Sequence, residues 1–231
     1  MKKLLSLAIV LALLLSLPGL CAFADGDSLS WTLYKQGTLT ISGKGEMPDY
    51  HETVAPWDKY TDEIKAVVIE DGITHIGSES FEYCFELKSV SIPDSVESIG
   101  SAAFFRCGRL KDVELPDGLT EIADQTFDHC ESLKSIVIPD GVTEIGEAAF
   151  NCCSALEEIS IPGTVTEIGY SAFNGCKALK DVYFSGTSGE WEDIEIGSYN
   201  KRLLDANIYV SKIDGAAQKN SGDIVASGTL K

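Results

Sequence analysis

The residue types and spacings that carry most enzyme chemistry are scarce in this chain. Histidine occurs three times, as His51, His75 and His129, and there is no C-x-x-C, H-E-x-x-H, G-x-S-x-G or phosphate-binding glycine loop. Those motifs set metal ligands, a nucleophile or phosphate-cradling amides at fixed reach, so without them the usual arguments for such centres fall away. His129 adjoins Cys130, but sequence neighbours on a coil point different ways and Cys130 sits in an apolar phase. A Cys–His nucleophile pair is therefore not expected. No catalytic residue, metal ligand or cofactor is assigned, and the chain reads as a non-enzyme. Positive charge is also short, with 18 Lys and Arg against 36 Asp and Glu, a formal charge of −18. Such a surface repels phosphate backbones and anionic lipid, which argues against nucleic-acid and membrane-surface partners. It suits a basic partner or a divalent cation, or serves solubility alone.

Long apolar runs are confined to the N-terminus. Lys2 and Lys3 precede the run from Leu4 to Leu17, and Ala22-Phe23-Ala24 follows it, the order of a signal peptide cleaved before Asp25. The run falls short of the ~20 residues of a membrane span, so no span is expected after cleavage. Residues 1–24 are read as this signal, and the rest as secreted or extracellular, either released or associated with the cell surface. Removing Lys2 and Lys3 takes the formal charge from −18 to −20. Seven cysteines in an exported chain usually mean disulfides. Five of them, however, hold one phase of a repeat, as a small buried hydrophobe would. Vertical disulfides between stacked coils, at ~5 Å spacing, are the alternative.

What the sequence has in abundance is one phrase, clearest at Pro139 to Ile161, PDGVTEIGEAAFNCCSALEEISI. Phe81, Phe104, Phe127, Phe150 and Phe173 are 23 apart, as are Cys84, Cys107, Cys130, Cys153 and Cys176 and the leucines from Leu87 to Leu179. Ile76, Ile99, Ile122, Ile145 and Ile168 keep the same step. A fixed period of 20 to 29 residues with apolar residues in phase marks a solenoid whose coils share one core. The fold expected is an α+β repeat solenoid of five 23-residue repeats over residues 70–184, capped at 25–69 and 185–210, with a disordered tail at 211–231.

Within each repeat, Leu87-Lys88-Ser89-Val90-Ser91-Ile92 alternates as a strand and Pro93-Asp94 turns the chain. A second short extended segment ends at Gly100, read as a residue free to take positive φ, and Ser101 to Phe104 is expected as a short helix or 3₁₀ turn. Leu29–Leu33 and Thr38–Ile41 flank Gln36-Gly37 as a small hairpin. Trp57 and Tyr60 are suited to covering the open first coil, and Trp191 with Ile194 and Ile196 the last.

The phrase at 139–161 resembles the BspA-type leucine-rich repeat family of bacterial and protist surface proteins. Trp31, Gly37 to Gly43, Met47 to Tyr50 and Pro56-Trp57 are similar to the family's opening segment, and Trp191 to Ile208 to its terminal unit. The resemblance implies a curved right-handed leucine-rich-repeat coil with strands on the concave face and no catalytic residues. It also implies exported proteins linked to adhesion, some of which bind host matrix proteins such as fibronectin and fibrinogen.

On that reading the concave face carries the partner-binding candidates Ser89, Ser91, Asp112, Glu114, Ser135, Val137, Glu158, Ser160, Asp181 and Tyr183. The function expected is a binding module for a protein partner, a host extracellular-matrix or bacterial surface protein, acting in adhesion or colonisation as a monomer. The alternative is an envelope-associated spacer contacting polysaccharide or neighbouring surface proteins. Glu121, Glu144 and Glu167 share a phase and are expected to stack as a carboxylate ladder, a cation site or simply a solvated edge. The core phase makes a direct prediction. Phe127→Ala leaves a cavity and should lower unfolding free energy by about 3–5 kcal/mol in denaturant titration, whereas an unchanged midpoint would place Phe127 outside the core.

Overall fold

The structure, a computed structural model, describes residues 29–211 and the backbone of the short strands Leu20–Phe23 and Thr229–Leu230. The signal peptide read at 1–24 and the tail read at 211–231 otherwise lie outside the described residues. The expected hairpin forms: Leu29–Leu33 pairs antiparallel with Thr38–Gly43 around Gly37, whose φ is 91°. From Thr38 onward the chain winds as a solenoid built mostly of sheet and turn.

Two parallel ladders join the coils. The first stacks Thr38–Gly43, Ala66–Ile69 and Ser89–Ser91, and resumes with Ser135–Val137, Glu158–Ile161, Asp181–Phe184 and Asn207–Val210. The second stacks Gly45–Glu46, Ile73–Ile76 and Ser98–Ile99, then Glu121–Ile122, Glu144–Ile145, Glu167–Ile168 and Glu195–Ile196. Alternation along each strand turns Ile136, Ile159 and Val182 inward, and all three are buried. Helix is sparse. Ser188–Glu192 is closed by a capping box between Thr187 and Glu190, and Lys201–Leu204 is one turn long.

The helical turn expected before each phenylalanine does not form. Ala102 and Arg106 take φ of 54° and 59°, and Glu79 and Tyr83, Gln125 and His129, and Ala148 and Cys152 repeat the pair. A left-handed residue every fourth position breaks helix geometry and swings alternate amides along the solenoid axis. Those amides form a third ladder: Ala102, Phe104 and Arg106 donate to the carbonyls of Asp124, Thr126 and Asp128 at 2.9, 3.0 and 2.8 Å. Along this ladder the rings of Trp57, Phe81, Phe104, Phe127, Phe150 and Phe173 stack at 5.4–5.7 Å between centroids. Trp57 thus occupies the phenylalanine place in the coil before the first repeat, and its Nε1–H donates to the Ser80 carbonyl at 2.7 Å. At the other end no further coil supplies a carbonyl for Phe173. The buried Asn200 side chain does so, accepting from the Phe173 amide at 2.8 Å and donating to the carbonyls of Gly169 and Gly197, each at 2.8 Å.

The glycine at the end of the second strand is not there for positive φ. Gly100 and Gly169 keep ordinary φ, but a Cβ on Gly100 would lie 2.4 Å from the Ser78 nitrogen, and one on Gly169 2.6 Å from the Glu147 nitrogen. Close approach of the preceding coil's backbone requires a residue without a side chain. The third copy has Ala123 at this position. There both sheet ladders part, since among the described residues no strand pair joins Ser98–Ile99 to Glu121–Ile122, and Ser89–Ser91 meets the next coil only at Asp112. Elsewhere the amide at this phase bonds the coil before it, as Gly100 does to Ile76 and Gly146 to Ile122, both at 2.8 Å, but Ala123 makes no such bond to Ile99. Ala123 thus brings a methyl group to the phase where a Cβ elsewhere meets the preceding coil's backbone, while the phenylalanine ladder beneath it stays closed.

Ala123→Gly should therefore close the junction. Two regained amide bonds, about 0.5–1.5 kcal/mol each, are partly offset by the greater unfolded-state freedom of glycine. Net stability should accordingly change little, whereas amide exchange at residues 120 and 123 should slow clearly. Unaltered exchange there would show that the methyl is not the cause.

Candidate functional site

The outward side chains of the first ladder resolve into two rows. In one, parallel register sets Ser135, Glu158, Asp181 and Asn207 side by side, and Asn207 Nδ2–H donates to Asp181 Oδ1 at 3.0 Å. In the other, the order is Val137, Ser160, Tyr183 and Tyr209. Val137 is 67% exposed and Tyr183 43%, and the Tyr183 and Tyr209 rings stack at 5.3 Å. This row lines a cleft of about 340 Å³ with Phe184 and Val210. The phenol of Tyr209 is pushed above its ordinary value by desolvation and by the Asp181 carboxylate. The face therefore offers an apolar, aromatic row bordered by an acidic one.

Six of the ten residues predicted for this face belong to these rows: Ser135, Val137, Glu158, Ser160, Asp181 and Tyr183. Ser89 and Ser91 lie on the strand before the Ala123 junction. Asp112 and Glu114 fall in the coil where the ladder is interrupted, against a second cleft of about 380 Å³ that also touches Ser135 and Val137. Sequence reasoning missed Asn207 and Tyr209. Their offset from Asp181 and Tyr183 is 26 residues because the helix Ser188–Glu192 and the turn Lys201–Leu204 intervene, so they leave the 23-residue phase. The alternation of Asn207-Ile208-Tyr209-Val210 was the available signal.

On the second ladder Glu121, Glu144 and Glu167 stack in register, joined by Glu195. Among the described residues no group of three or more His, Cys, Asp or Glu side chains is arranged to hold a metal ion. The Glu144 carboxyl is held above its ordinary value by desolvation between its neighbours and by the charges of Glu167, Glu121 and Asp124. The Lys180 ammonium reaches Glu157 of the preceding coil at 3.4 Å.

Cys84, Cys107, Cys130, Cys153 and Cys176 are buried, unpaired thiols. The Sγ–H of Cys107, Cys130, Cys153 and Cys176 donates to the carbonyls of Phe81, Phe104, Phe127 and Phe150 at 3.1–3.4 Å. Burial pushes the Cys84 and Cys176 thiols up to about 12, which disfavours their thiolate form. His129 turns away from Cys130, toward Asp128 at 3.9 Å and Glu131 at 3.7 Å. The adjacent pair is not brought together.

Residues 59–194 match the BspA type leucine rich repeat region in six copies. The chain belongs to the BspA-type leucine-rich repeat family. A leucine rich cell surface protein of Faecalibacterium prausnitzii A2-165 is 36% identical over 74% of this chain and 41% of its own, with a TM-score of 0.56. The present chain thus spans about two fifths of that protein. The fold is shared with the leucine rich repeat protein of T. pallidum at 24% identity, over 79% of this chain and 94% of that one, with a TM-score of 0.53. It is shared too with the pneumococcal vaccine antigen PcpA at 19% identity, over 83% and 48%, with a TM-score of 0.51. No curated protein matches the chain. The BspA-type family is one of bacterial surface proteins, and leucine-rich repeats typically serve as binding modules. Among the described residues no helix is long and apolar enough to cross a membrane.

The carboxylate ladder of this BspA-type coil makes a pH prediction. A carboxyl raised above its ordinary 4.5 binds its proton more tightly folded than unfolded, so stability falls as pH rises through the folded value. Glu144→Gln should raise the denaturation midpoint at neutral pH, and the difference from the parent should vanish below pH 4.5. A gain that persists in acid would locate the effect in packing.

Proposed function

We propose that this chain is an exported, non-enzymatic binding module that presents the strand face to a protein partner in bacterial adhesion or colonisation. The observation that carries the reading is the contrast between inward and outward positions. The inward phases repeat Phe, Cys, Leu and Ile, while the outward phases vary between Ser, Asp, Glu, Val and Tyr. A solenoid needs only the former to fold, so the latter are free for recognition, and neighbouring coils hold them at ~4.8 Å intervals. The exposed Tyr183, the half-buried Tyr209 and an apolar cleft beside carboxylates fit a partner that brings apolar anchors and basic groups. A host matrix protein or another surface protein of the bacterium has the extent to engage several coils together.

Two substitution sets test this against immobilised fibronectin, fibrinogen and isolated bacterial cell walls. Changing Asp112, Glu114, Glu158 and Asp181 together to alanine should weaken binding chiefly through a slower, less salt-dependent association. Tyr183→Ala should speed dissociation, by about tenfold if the ring is a central anchor. Retention by cell walls with no matrix-protein binding favours the envelope spacer, and binding that neither set alters moves the site off the strand face.

A further inference from the structure

The third ladder carries side chains that neither the fold nor the strand face explains. Tyr83 and Phe85 are 42% and 45% exposed, and Tyr83 contacts Phe85 at 5.8 Å and Phe105 at 5.6 Å. The guanidinium of exposed Arg106 lies 5.8 Å from the centre of the Tyr83 ring and 5.3 Å from that of Phe105. His129 continues the strip, edge-to-face with Phe105 at 6.2 Å. The same phases hold Asn151 with Cys152 and Asn174 with Gly175 further along. The aromatic strip is therefore local to the first coils and is not a requirement of stacking.

Tyr83 and Arg106 also hold a conformation that disfavours them. Their φ values are 58° and 59°, whereas Gly175, at the same phase, takes 77° without the clash an L side chain incurs. The amide ladder imposes this φ in every coil, so what the fold leaves unexplained is the presence of an exposed Tyr and Arg at a phase where glycine serves as well. Arg106 gives the strip a sign. Arg109 is paired with Glu86, but among the described residues Arg106 forms no ion pair with a carboxylate, and Glu82 and Asp128 act on it only at longer range. In a chain of formal charge −18 it is an exposed guanidinium laid over two rings, a cation–π position that leaves it outside any ion pair among the described residues. A cationic fork beside exposed rings suits a carboxylate-bearing protein segment better than a neutral sugar.

We infer that Tyr83, Phe85, Phe105 and Arg106 form a second docking surface, on the turn ladder, for a protein segment that presents a carboxylate beside an aromatic or large apolar side chain. The carboxylate takes the Arg106 fork and the apolar group packs on Tyr83 and Phe85. Aromatic side chains and arginine are the types that dominate binding energy at interfaces. The site is independent of the strand face.

The test is an amide-resolved NMR titration of the chain with the peptide acetyl-Gly-Asp-Trp-Glu-Gly-amide, its Asn/Gln counterpart, and the neutral sugar chitobiose. The acidic peptide should shift the amides of residues 83, 85, 105 and 106, and the Asn/Gln peptide should bind about tenfold more weakly or worse, as loss of a charge-assisted pair implies. Arg106→Gln should abolish that difference between peptides. Tyr83→Gly should weaken peptide binding yet raise the thermal midpoint, because it relieves the left-handed residue, whereas a structural tyrosine would lower it. Failure of the acidic peptide to shift these amides, equal binding of both peptides, a lowered midpoint in Tyr83→Gly, or shifts by chitobiose alone would each overturn the proposal.

Discussion

The constraint on which this molecule depends is the axial distance between successive coils, set by backbone hydrogen bonding at ~4.8 Å. Everything in phase has to be compatible with a copy of itself, or a substitute, at that distance. Phenylalanine meets the condition because offset rings stack well, and the rings sit 5.4–5.6 Å apart through the five repeats. Cysteine meets it differently, through a small Sγ–H that satisfies a phenylalanine carbonyl of the coil before it. Carboxylates meet it poorly, which is why Glu144, between Glu121 and Glu167, feels its neighbours. Glycine marks the places where even a methyl group is too much.

A stack with that logic has two ends where the copy is missing, and each is closed by a residue that imitates one. Trp57 supplies a ring for Phe81 and an N–H for Ser80, with Trp31 and Tyr50 packed around it. Asn200 supplies one carbonyl and one N–H to the last coil, gives its second N–H to Gly197 of its own turn, and is almost wholly buried in doing so. Asp49 does a similar service at the first coil, accepting the Ser78 amide at 2.6 Å, and that bond holds its carboxyl below the ordinary carboxylate range. These end groups are single residues, so no periodicity announces them.

The same distinction decides how much was legible in the sequence. The buried series at Phe81, Cys84 and Leu87 could be read because a core position repeats its residue type, whereas the choice between buried thiols and vertical disulfides stays open in the sequence and falls to unpaired thiols in the structure. The turn before each phenylalanine was not legible, because Ala102 and Ala103 suggest helix by propensity while the left-handed φ at Ala102 is imposed by the amide ladder. Gly100 was correctly singled out and wrongly explained, since its need arises from a neighbour 22 residues earlier, Ser78. On the candidate face, Tyr183 was visible from alternation, but its partner Tyr209 was hidden by the intervening helices. Tyr83, Phe85 and Arg106 differ from copy to copy, which is the property that makes them invisible to a search for repeats.

Ala123 has a consequence for how the molecule comes apart. In a linear array the stability is a sum of coil terms and nearest-neighbour coupling terms, and one weak coupling divides the array into two blocks. The junction between Ile99 and Glu121 keeps its ring stacking and turn-ladder amides, loses the second sheet ladder and retains the first only at Ser89–Asp112, so it is that weak coupling. Unfolding then proceeds in two steps, with a calorimetric enthalpy exceeding the van't Hoff value, as expected when a chain is not two-state. Such a seam lets the coils on one side of Ala123 come apart as a unit while those on the other side keep their face.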